Sequence, residues 1–480
     1  MKIAFRSFFL ENTQGFILDG ERVHSSKVKA LRSGKIMMEK NIDQSDVVVI
    51  GGGPAGSTAA SLLAEKGWNV EIWEKDSHPK FHIGESLLPH TLPILERLGV
   101  LEDIEKIGLR KYGAELLSPY HQHNVTLYFK EALDKTHPYA FQVRRAQFDE
   151  ILFNNCKKKG AVVREGLEVK DVRFSTNNQV TLVAMDRQGV KVTKTTRFLV
   201  DASGRQTFLG TQLGLKQRSV THNSAALFSH FTGVVRHKGK DEGNISICWF
   251  NQGWFWIIPF RDGITSVGVV CWPSYLKQRK GSAEEFFWDA VHRCPPMAER
   301  MSQAKSVMPI MATGNYSYQC SSMLGANYIL LGDAFAFVDP VFSSGVHLAL
   351  NSAIRGVEVV EATLREMPEL AEKQQEFVAS VKRGIATYSW FIHRFTQPAF
   401  RALFMAPKNY FRMKEAVLSV LAGDVFDKTP VTIPILLFKV VYYVTSFLDL
   451  PGNWAQVRLR KGNARDGQPW TELMSRGTSQ

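Results

Sequence analysis

Early in the chain, apolar and small residues alternate in blocks that are typical of a strand–helix–strand unit. The run Val47–Ile50 is apolar and β-branched, and a second strand is expected over Asn69–Trp73. Between them, the small residues of Ser57–Glu65 predict a tightly packed helix that Gly67 ends. The pattern therefore predicts two strands joined by a helix and a glycine-rich turn.

The glycines of this turn fall at positions suited to a dinucleotide. Gly51 permits a tight turn, Gly53 lets the backbone approach a pyrophosphate, and Gly56 allows close packing of helix against strand. Free N–H groups at the helix start favour an anion, and Glu74 follows the second strand, where a carboxylate can accept hydrogen bonds from a ribose. At this point both FAD and NAD fit. The candidate cofactor contacts are Gly51, Gly53, Pro54, Ala55, Gly56, Glu74 and Lys75.

Three later segments continue the same kind of pattern. Phe198–Gly204 and Tyr328–Ala334 are each typical of a buried strand that runs into a turn, and Asp333 lies in the second turn. Arg145–Asp149 opens a helical pattern that continues through Leu152.

Length and composition indicate a soluble protein of several lobes. The 480 residues exceed one comfortable core, and the contents of 44% hydrophobic and 22% charged residues are those of a globular protein. The five cysteines are odd in number and form no Cys-x-x-Cys pair, which argues against a disulfide framework or a zinc site. We therefore expect no metal and a cytoplasmic location.

Two segments bear on membranes. In residues 1–43, Glu11 interrupts the apolar run, so we expect a poorly ordered extension rather than a signal peptide. The longest apolar stretch, Val431–Leu448, contains Pro434 and Lys439 and predicts a packed helix rather than a membrane span. We expect at most peripheral membrane contact.

The net charge of +13 is unevenly distributed. Between Glu376 and Glu415 there is no acidic residue, and aromatic residues are interleaved with basic ones. This basic interval fits either the solvated face of a helical lobe or a dock for an acidic partner. Because no recognition motif accompanies the charge, nucleic acid is not expected. The basic residues are Lys382, Arg383, Arg394, Arg401, Lys408, Arg412 and Lys414.

In their order along roughly residues 45 to 365, the glycine turn and the three later segments resemble the glutathione-reductase-type FAD fold of flavin monooxygenases. The resemblance implies FAD, with Arg145 and Asp333 as flavin contacts. It also implies an α/β fold: a Rossmann-like ββα sandwich, a sheet-based substrate domain and a helical C-terminal region. The expected boundaries are FAD-binding segments at 44–120, 142–206 and 310–365, substrate-domain segments at 121–141 and 207–309, and a helical lobe at 366–480.

A narrower resemblance rests on Trp254–Pro259, which matches the Trp-x-Trp-x-Ile-Pro signature of flavin-dependent halogenases. Strand alternation puts Trp254 and Trp256 on one face. In the family, this pair of indoles stands beside the flavin and keeps the organic substrate away from it. Pro79–Pro89 is similar to the loop after the second strand in halogenases of phenols or pyrroles, and Asp339–His347 is a third match.

The segment Gly108–Ala114 resembles the family segment that bears the active-site lysine, which places that lysine at Lys111. The resemblance implies that FADH2 and O2 oxidise chloride or bromide to hypohalous acid. The lysine then holds this oxidant by a hydrogen bond or as a haloamine, provided that burial lowers the pKa of the amine. If Lys111 points inward, Arg110 should point outward.

A helix is expected to begin near Ser344 and to run to about Leu364. The N–H groups of Ser344 and Gly345 would bind a halide there, although the same helix start also suits the flavin, so Gly345 is a candidate for both. Free-tryptophan halogenases resemble this segment, but they carry a glutamate at the position of Phe342. In those enzymes the glutamate assists loss of the ring proton. The departure favours a ring that activates itself, a phenol or a pyrrole.

The resemblance also implies partners and leaves alternatives. A separate NAD(P)H–flavin reductase would supply FADH2, and an acidic acyl carrier protein that bears the aromatic substrate would fit the basic interval. The alternatives are an FAD-dependent aromatic hydroxylase, which needs neither the tryptophans nor Lys111, a prenyl-lipid reductase, and a flavin-bound docking protein without chemistry. We assign no acid–base role to His82, Glu85 or His347.

Overall fold

The strand–helix–strand pattern forms the centre of a parallel sheet. The strands are Ser45–Ile50 and Val70–Glu74, and they pair in parallel. The helix between them, Pro54–Glu65, begins at a proline, whose missing N–H costs nothing in the first turn. Gly67 follows the helix at φ +88°, a backbone conformation that glycine adopts without strain. These elements confirm the sequence prediction. The computed structural model describes residues 45–314, 317–427 and 429–465, so the prediction for residues 1–43 lies outside the described chain.

This first sheet collects the later buried strands beside the first one. Five of its eight strands are parallel, a short antiparallel strand flanks them at one edge, and two antiparallel strands extend from the longest parallel strand. The turns after Ile50, Asp201 and Leu330 therefore meet at one edge of the sheet, where parallel α/β sheets bind ligands. From edge to edge, the path is Leu324–Gly325, Tyr328–Leu330, Lys191–Asp201, Ser45–Ile50, Val70–Glu74 and Val162–Glu165, with Val180–Asp186 and Leu167–Phe174 off it.

Helices cover the first sheet and bury its centre. Pro54–Glu65 packs against both Arg145–Lys158 and Ser344–Leu364. Val47, Val48 and Val49 are fully buried, as in parallel sheets that are covered on both faces.

A second, mainly antiparallel sheet contains the tryptophan strand. Its one parallel pair among the described strands joins Gly113–Leu117 to Ile245–Phe250. The tryptophan strand, Gly253–Pro259, lies at the middle of the sheet and is buried along its whole length. In order, the strands are Lys305–Ser306, Ala225–Thr232, Thr265–Cys271, Gly253–Pro259, Ile245–Phe250, Gly113–Leu117 and Val125–Tyr128, and Met311–Gly314 also pairs with Ala225–Thr232.

Two small sheets join these parts. Leu109–Lys111 pairs with Ala140–Gln142, and Tyr318–Cys320 pairs with both Lys216–Arg218 and Ala336–Phe337. The shorter helices, which lie between strands along the chain, are Leu92–Leu98, Leu101–Ile107, Phe208–Gln212, Pro273–Lys277, Ala283–His292 and Pro295–Arg300.

The C-terminal part is helical. Its helices are Leu370–Ile392, Pro398–Met405, Met413–Ala422, Thr432–Leu448 and Leu450–Arg465. Among the described helices none is by itself long and apolar enough to cross a membrane, but the pair Thr432–Leu448 and Leu450–Ala464, bent by 105°, passes that test together by length and composition.

The prediction of a packed helix over Val431–Leu448 is only half right. Ile435, Phe438 and Tyr442 are buried, whereas Leu436 and Phe447 on the opposite side are exposed. Since apolar residues occur on all sides of the segment, its pattern did not show which side would be exposed.

Candidate active site

A cavity of about 610 Å³ lies at the ligand-binding edge of the first sheet and extends to the tryptophan side of the second. Most of the predicted site residues line it. Lys111, Gly56 and Ser344 lie behind its wall, next to lining residues. The predicted residues in the wall are Gly51, Gly53, Pro54, Ala55, Glu74, Lys75, Arg145, Trp254, Trp256, Asp333 and Gly345.

The glycine turn presents bare backbone to the cavity. Gly51 has φ +97°, and a Cβ there would lie 2.5 Å from the carbonyl oxygen of Ala202. A Cβ on Gly56 would lie 1.9 Å from the carbonyl oxygen of Gly51, so only glycine lets the helix pack this closely. A Cβ on Gly53 would meet no atom within 4 Å, so this glycine leaves an open approach to the backbone. The three glycines thus fit the roles expected of them in a pyrophosphate site.

Glu74 supports the glycine turn as well as facing the cavity. Its Oε2 accepts a hydrogen bond from the backbone N–H of Gly52 at 2.7 Å, and its Oε1 accepts one from Lys80 Nζ at 2.6 Å. Burial alone would raise the pKa of Glu74, but Lys80 and the backbone donors outweigh it and lower that pKa. This supporting role was missed in the sequence because it depends on a contact across the turn.

Arg145 and Asp333, the predicted flavin contacts, both line the cavity. Arg145 Nε and Nη2 donate to the two carboxylate oxygens of Asp149, each at 2.9 Å, and Nη1 donates to the carbonyl oxygen of Ile83 at 2.7 Å. Burial raises the pKa of Asp333 to about 6, against the opposing charges of Arg205 and Arg145. The guanidinium is therefore fixed in place, and the carboxyl group of Asp333 holds its proton more tightly than an exposed carboxyl group does.

The two tryptophans form one wall of the cavity. The rings of Trp254 and Trp256 have centroids 6.0 Å apart, and Trp256 Nε1 donates to Ser266 Oγ at 3.1 Å. Their neighbours Phe255 and Ile257 belong to a different hydrophobic cluster on the other side of the sheet, which confirms the alternation. A Cβ on Gly268 of the adjacent strand would lie 2.2 Å from the Trp256 ring, so the indole occupies the space that a side chain would need.

Lys111 is buried just behind the cavity wall. Its Nζ donates to Ser86 Oγ at 2.8 Å, and Ser86 lines the cavity. The ammonium also lies 5.3 Å from the centroid of the Phe129 ring, and no carboxylate pairs with it among the described residues. Burial lowers the pKa of Lys111 to about 7. Arg110, the preceding residue, is exposed, so the expected inward and outward orientations are confirmed.

The helix Ser344–Leu364 begins where it was predicted, and a buried network holds the loop before it. Ser343 adopts φ +55° ahead of the first turn. The Asp339 side chain accepts from the backbone N–H of Val341 at 3.2 Å and from Ser224 Oγ at 2.8 Å, and His222 Nε2 lies 3.0 Å from its Oδ2. His222 and Ser224 were missed because they lie more than 100 residues earlier in the chain.

A second buried pair lies beside Ser86. Glu85 lines the cavity, and His230 Nε2 is 2.7 Å from its Oε1. Glu85 Oε2 is buried without a hydrogen-bond partner among the described residues. The residues are 145 positions apart, and no motif joins them, so the sequence could not pair them.

Comparison with known proteins agrees with this geometry. A family model described as an FAD binding domain matches residues 44–367. The chain is 33% identical over 407 residues to 1H-pyrrole-2-carbonyl-[peptidyl-carrier protein] chlorinase of Pseudomonas fluorescens, covering 80% of this chain and 90% of that protein. The chain belongs to the flavin-dependent halogenase family. It is also 33% identical to tryptophan 2-halogenase of Chondromyces crocatus, covering 68% of this chain and 62% of that protein.

The solved structure of the myxobacterial chondrochloren halogenase CndH shows the same fold. Its TM-score is 0.70 at 30% identity, covering 90% of this chain and 99% of that chain. The α/β flavoprotein fold is thus confirmed. The protein is a flavin-dependent halogenase, an FAD enzyme that uses O2 and halide to halogenate an aromatic ring. The family assignment favours this reaction over the hydroxylase, the prenyl-lipid reductase and the docking protein.

Proposed function

We propose that this halogenase substitutes an electron-rich phenol or pyrrole, and that Lys111 transfers the halogen to the ring. The observation that carries the proposal is the buried Nζ of Lys111, which donates to Ser86 at the cavity wall and has a pKa lowered to about 7. A neutral amine is a nucleophile toward hypohalous acid, whereas an ammonium is not.

The cavity residues fit FAD, and we assign them the following positions. The backbone around Gly51 and Gly53 would hold the pyrophosphate, Glu74 the ribose, and Arg145 and Asp333 the flavin end. Pro54, Ala55 and Lys75 line the cavity next to these groups. When bound there, FADH2 would supply, together with O2, the oxidising power that converts chloride or bromide to hypohalous acid.

We assign the halide to the N–H groups of Ser344 and Gly345, where the first turn of a long helix has free donors. Gly345 lines the cavity and has open space at its Cβ position, with the nearest atom, on Phe337, 3.8 Å away. Trp254 and Trp256 would exclude the organic ring from this part of the cavity, so that halide rather than ring meets the oxidant.

The transfer of halogen through Lys111 needs no reactant other than hypohalous acid and the aromatic ring. The neutral amine attacks the halogen of hypohalous acid, an N–halogen bond forms, and water leaves. The ring then attacks that halogen, the N–halogen bond breaks, and the ring proton is lost as the amine is restored. Phe342 packs against Phe391 and Phe395 and offers no carboxylate at its position, which favours a ring that activates itself, as phenols and pyrroles do.

Mass spectrometry of product mixtures tests this proposal. The mixtures contain the purified protein, FAD, a flavin reductase with NADH, chloride or bromide, and phenols and pyrroles, both free and carrier-bound. We expect halogen isotope doublets with the wild type and with Arg110→Ala, the matched control on the same strand. Lys111→Ala should lower the yield by at least about 10²-fold while it retains FAD. Equal yield from Lys111→Ala would disprove the role of the lysine.

A carrier-bound substrate is a second part of the proposal. The chlorinase relative is named for a pyrrole carried on a peptidyl carrier protein. Several cations of the basic interval have partners within the chain and are less suited to bind a carrier: Arg401 stacks on Tyr120, and Lys414 pairs with Glu131. Lys382 and Lys408 are exposed and remain suited to an acidic carrier.

Charge reversal at these two lysines tests the carrier dock. Lys382→Glu with Lys408→Glu should raise the KM for a carrier-bound substrate about tenfold or more and leave turnover of a free phenol unchanged. Lys157→Glu with Lys158→Glu, a similar exposed pair on Arg145–Lys158, is the control. An unchanged KM for the carrier-bound substrate would exclude a dock at these lysines.

The reductase and the compartment complete the proposal. We propose a separate NAD(P)H–flavin reductase as the source of FADH2, and a cytoplasmic location in keeping with five buried free cysteines. Halogenation by the purified protein with NADPH and FAD alone would disprove the need for a reductase. Export of a tagged chain would disprove the location.

A further inference from the structure

The helix Thr432–Leu448 carries a largely exposed apolar face, on which the Tyr443 hydroxyl accepts a hydrogen bond from Arg394 at 2.8 Å. Its opposite side packs into the protein, where Phe438 stacks on Phe391 with ring centroids 5.9 Å apart. The exposed residues recur every three or four positions and therefore share one side of the helix. This apolar face consists of Ile433, Leu436, Val440, Tyr443, Val444 and Phe447, each more than half exposed.

The apolar face differs from an ordinary protein surface. A helix that packs one side into a globular protein normally carries polar and charged residues on the other side. Here the side turned to solvent carries no charged residue, and exposed apolar side chains continue to the last helical residue, Leu448, and beyond it at Trp454. Contiguous exposed apolar surface of this kind marks an interaction site.

The charge of the residues near the apolar face indicates which partner covers it. Residues 429–465 contain five basic residues and one acidic residue, Asp449. A second copy of the chain would bring these like charges together, whereas an anionic bilayer would attract them. Tyr443 and Trp454 are the aromatic types that favour the headgroup region of a membrane. Two of the basic residues, Arg458 and Lys461, are exposed, whereas Lys439 lies over the Trp390 ring and Arg460 donates to the His393 carbonyl oxygen.

We propose that the apolar face lies in the surface of an anionic lipid bilayer, with the helix Thr432–Leu448 parallel to the membrane plane. The packed side, with Phe438 and Tyr442 held in the protein core, keeps the helix attached to the rest of the chain. The helix therefore enters the interface with one side only, as amphipathic membrane-surface helices do.

Vesicle sedimentation with the full-length, FAD-loaded protein tests the proposal. The vesicles contain phosphatidylcholine alone or phosphatidylcholine with one quarter phosphatidylglycerol. We expect the protein to sediment with the anionic vesicles, and less so at high salt. Leu436→Glu with Val444→Glu should lower the bound fraction at least tenfold. Val190→Glu with Val220→Glu, two exposed valines elsewhere, should not change it.

The results distinguish a lipid bilayer from a second copy of the chain and from a carrier protein. FAD retention and melting temperature establish that the paired variants are folded, and the single variant Leu436→Glu serves if the double variant is not. Failure of the wild type to bind anionic vesicles would overturn the proposal. So would a dimer in light scattering that the Leu436→Glu and Val444→Glu changes dissociate, or an acidic carrier protein that binds this face in place of lipid.

Discussion

Two buried cations near the same cavity have opposite surroundings. Arg145 has a carboxylate on the next turn of its own helix, and Asp149 reverses the effect of burial and raises the pKa of the guanidinium. Lys111 has a hydroxyl group and an aromatic ring, and burial lowers its pKa to about 7. A buried cation that is paired with a carboxylate stays charged, whereas a buried amine without a carboxylate can change its protonation state. We infer binding for the first and chemistry for the second.

The comparison is tested most strongly by removing the paired carboxylate. Asp149→Asn keeps the shape of the side chain but leaves the buried guanidinium unpaired, which should lower the free energy of unfolding by about 3 to 5 kcal/mol. Chemical denaturation measures this value. A loss below about 1 kcal/mol would mean that water or another group stabilises Arg145, and the contrast with Lys111 would not hold.

Replacing the unpaired Lys111 by an apolar residue should stabilise the protein. Lys111 has a lower pKa folded than unfolded, 10.5, so the unfolded chain binds more protons between pH 7 and 10.5 and stability rises with pH in that window. The contribution is roughly 2 to 3 kcal/mol between pH 7 and 9. Lys111→Met should remove this rise and be the more stable protein at pH 7. Chemical denaturation of both proteins at pH 7 and pH 9 measures these stabilities. An equal change of stability with pH in the two proteins would show that the pKa of Lys111 is not lowered.

The pH dependence of halogenation sharpens the same point. If the neutral amine accepts the halogen, product formed per FADH2 consumed should increase about tenfold from pH 6 to pH 8, with a midpoint near 7. The pH profile of FADH2 oxidation in the absence of substrate is the control. A yield that falls over this range would assign the ammonium, acting as a hydrogen-bond donor, instead of a haloamine.

The smallest effect is expected at Ser86. Ser86→Ala removes the hydrogen bond from Lys111 Nζ, which should change the free energy of unfolding by only about 1 kcal/mol. Lys111 should then keep its low pKa, since burial causes it. A midpoint of the halogenation profile that moves by more than one pH unit would show that Ser86 rather than burial sets that pKa.

The parts of the site that the sequence predicted are those with local signals. The glycine turn, the Trp254 and Trp256 alternation and the helix start at Ser344 each follow from residues within a few positions of one another. The Glu85–His230 pair and the loop network of Asp339 arise from contacts across more than 100 residues, which no local pattern records. The apolar face was missed for another reason: apolar residues occur on all sides of Thr432–Leu448, so periodicity could not show which side is covered.

The absence of a side chain at Gly268 has a consequence for redesign. Because the Trp256 ring occupies the volume above this glycine, even an alanine there would push the indole toward the cavity. The depth of the wall is therefore set by the neighbouring strand, and not by the signature residues alone. To reshape the cavity for a larger substrate, Thr265–Cys271 should be varied as well as the tryptophans. We expect selection for new substrates to find substitutions on the same strand.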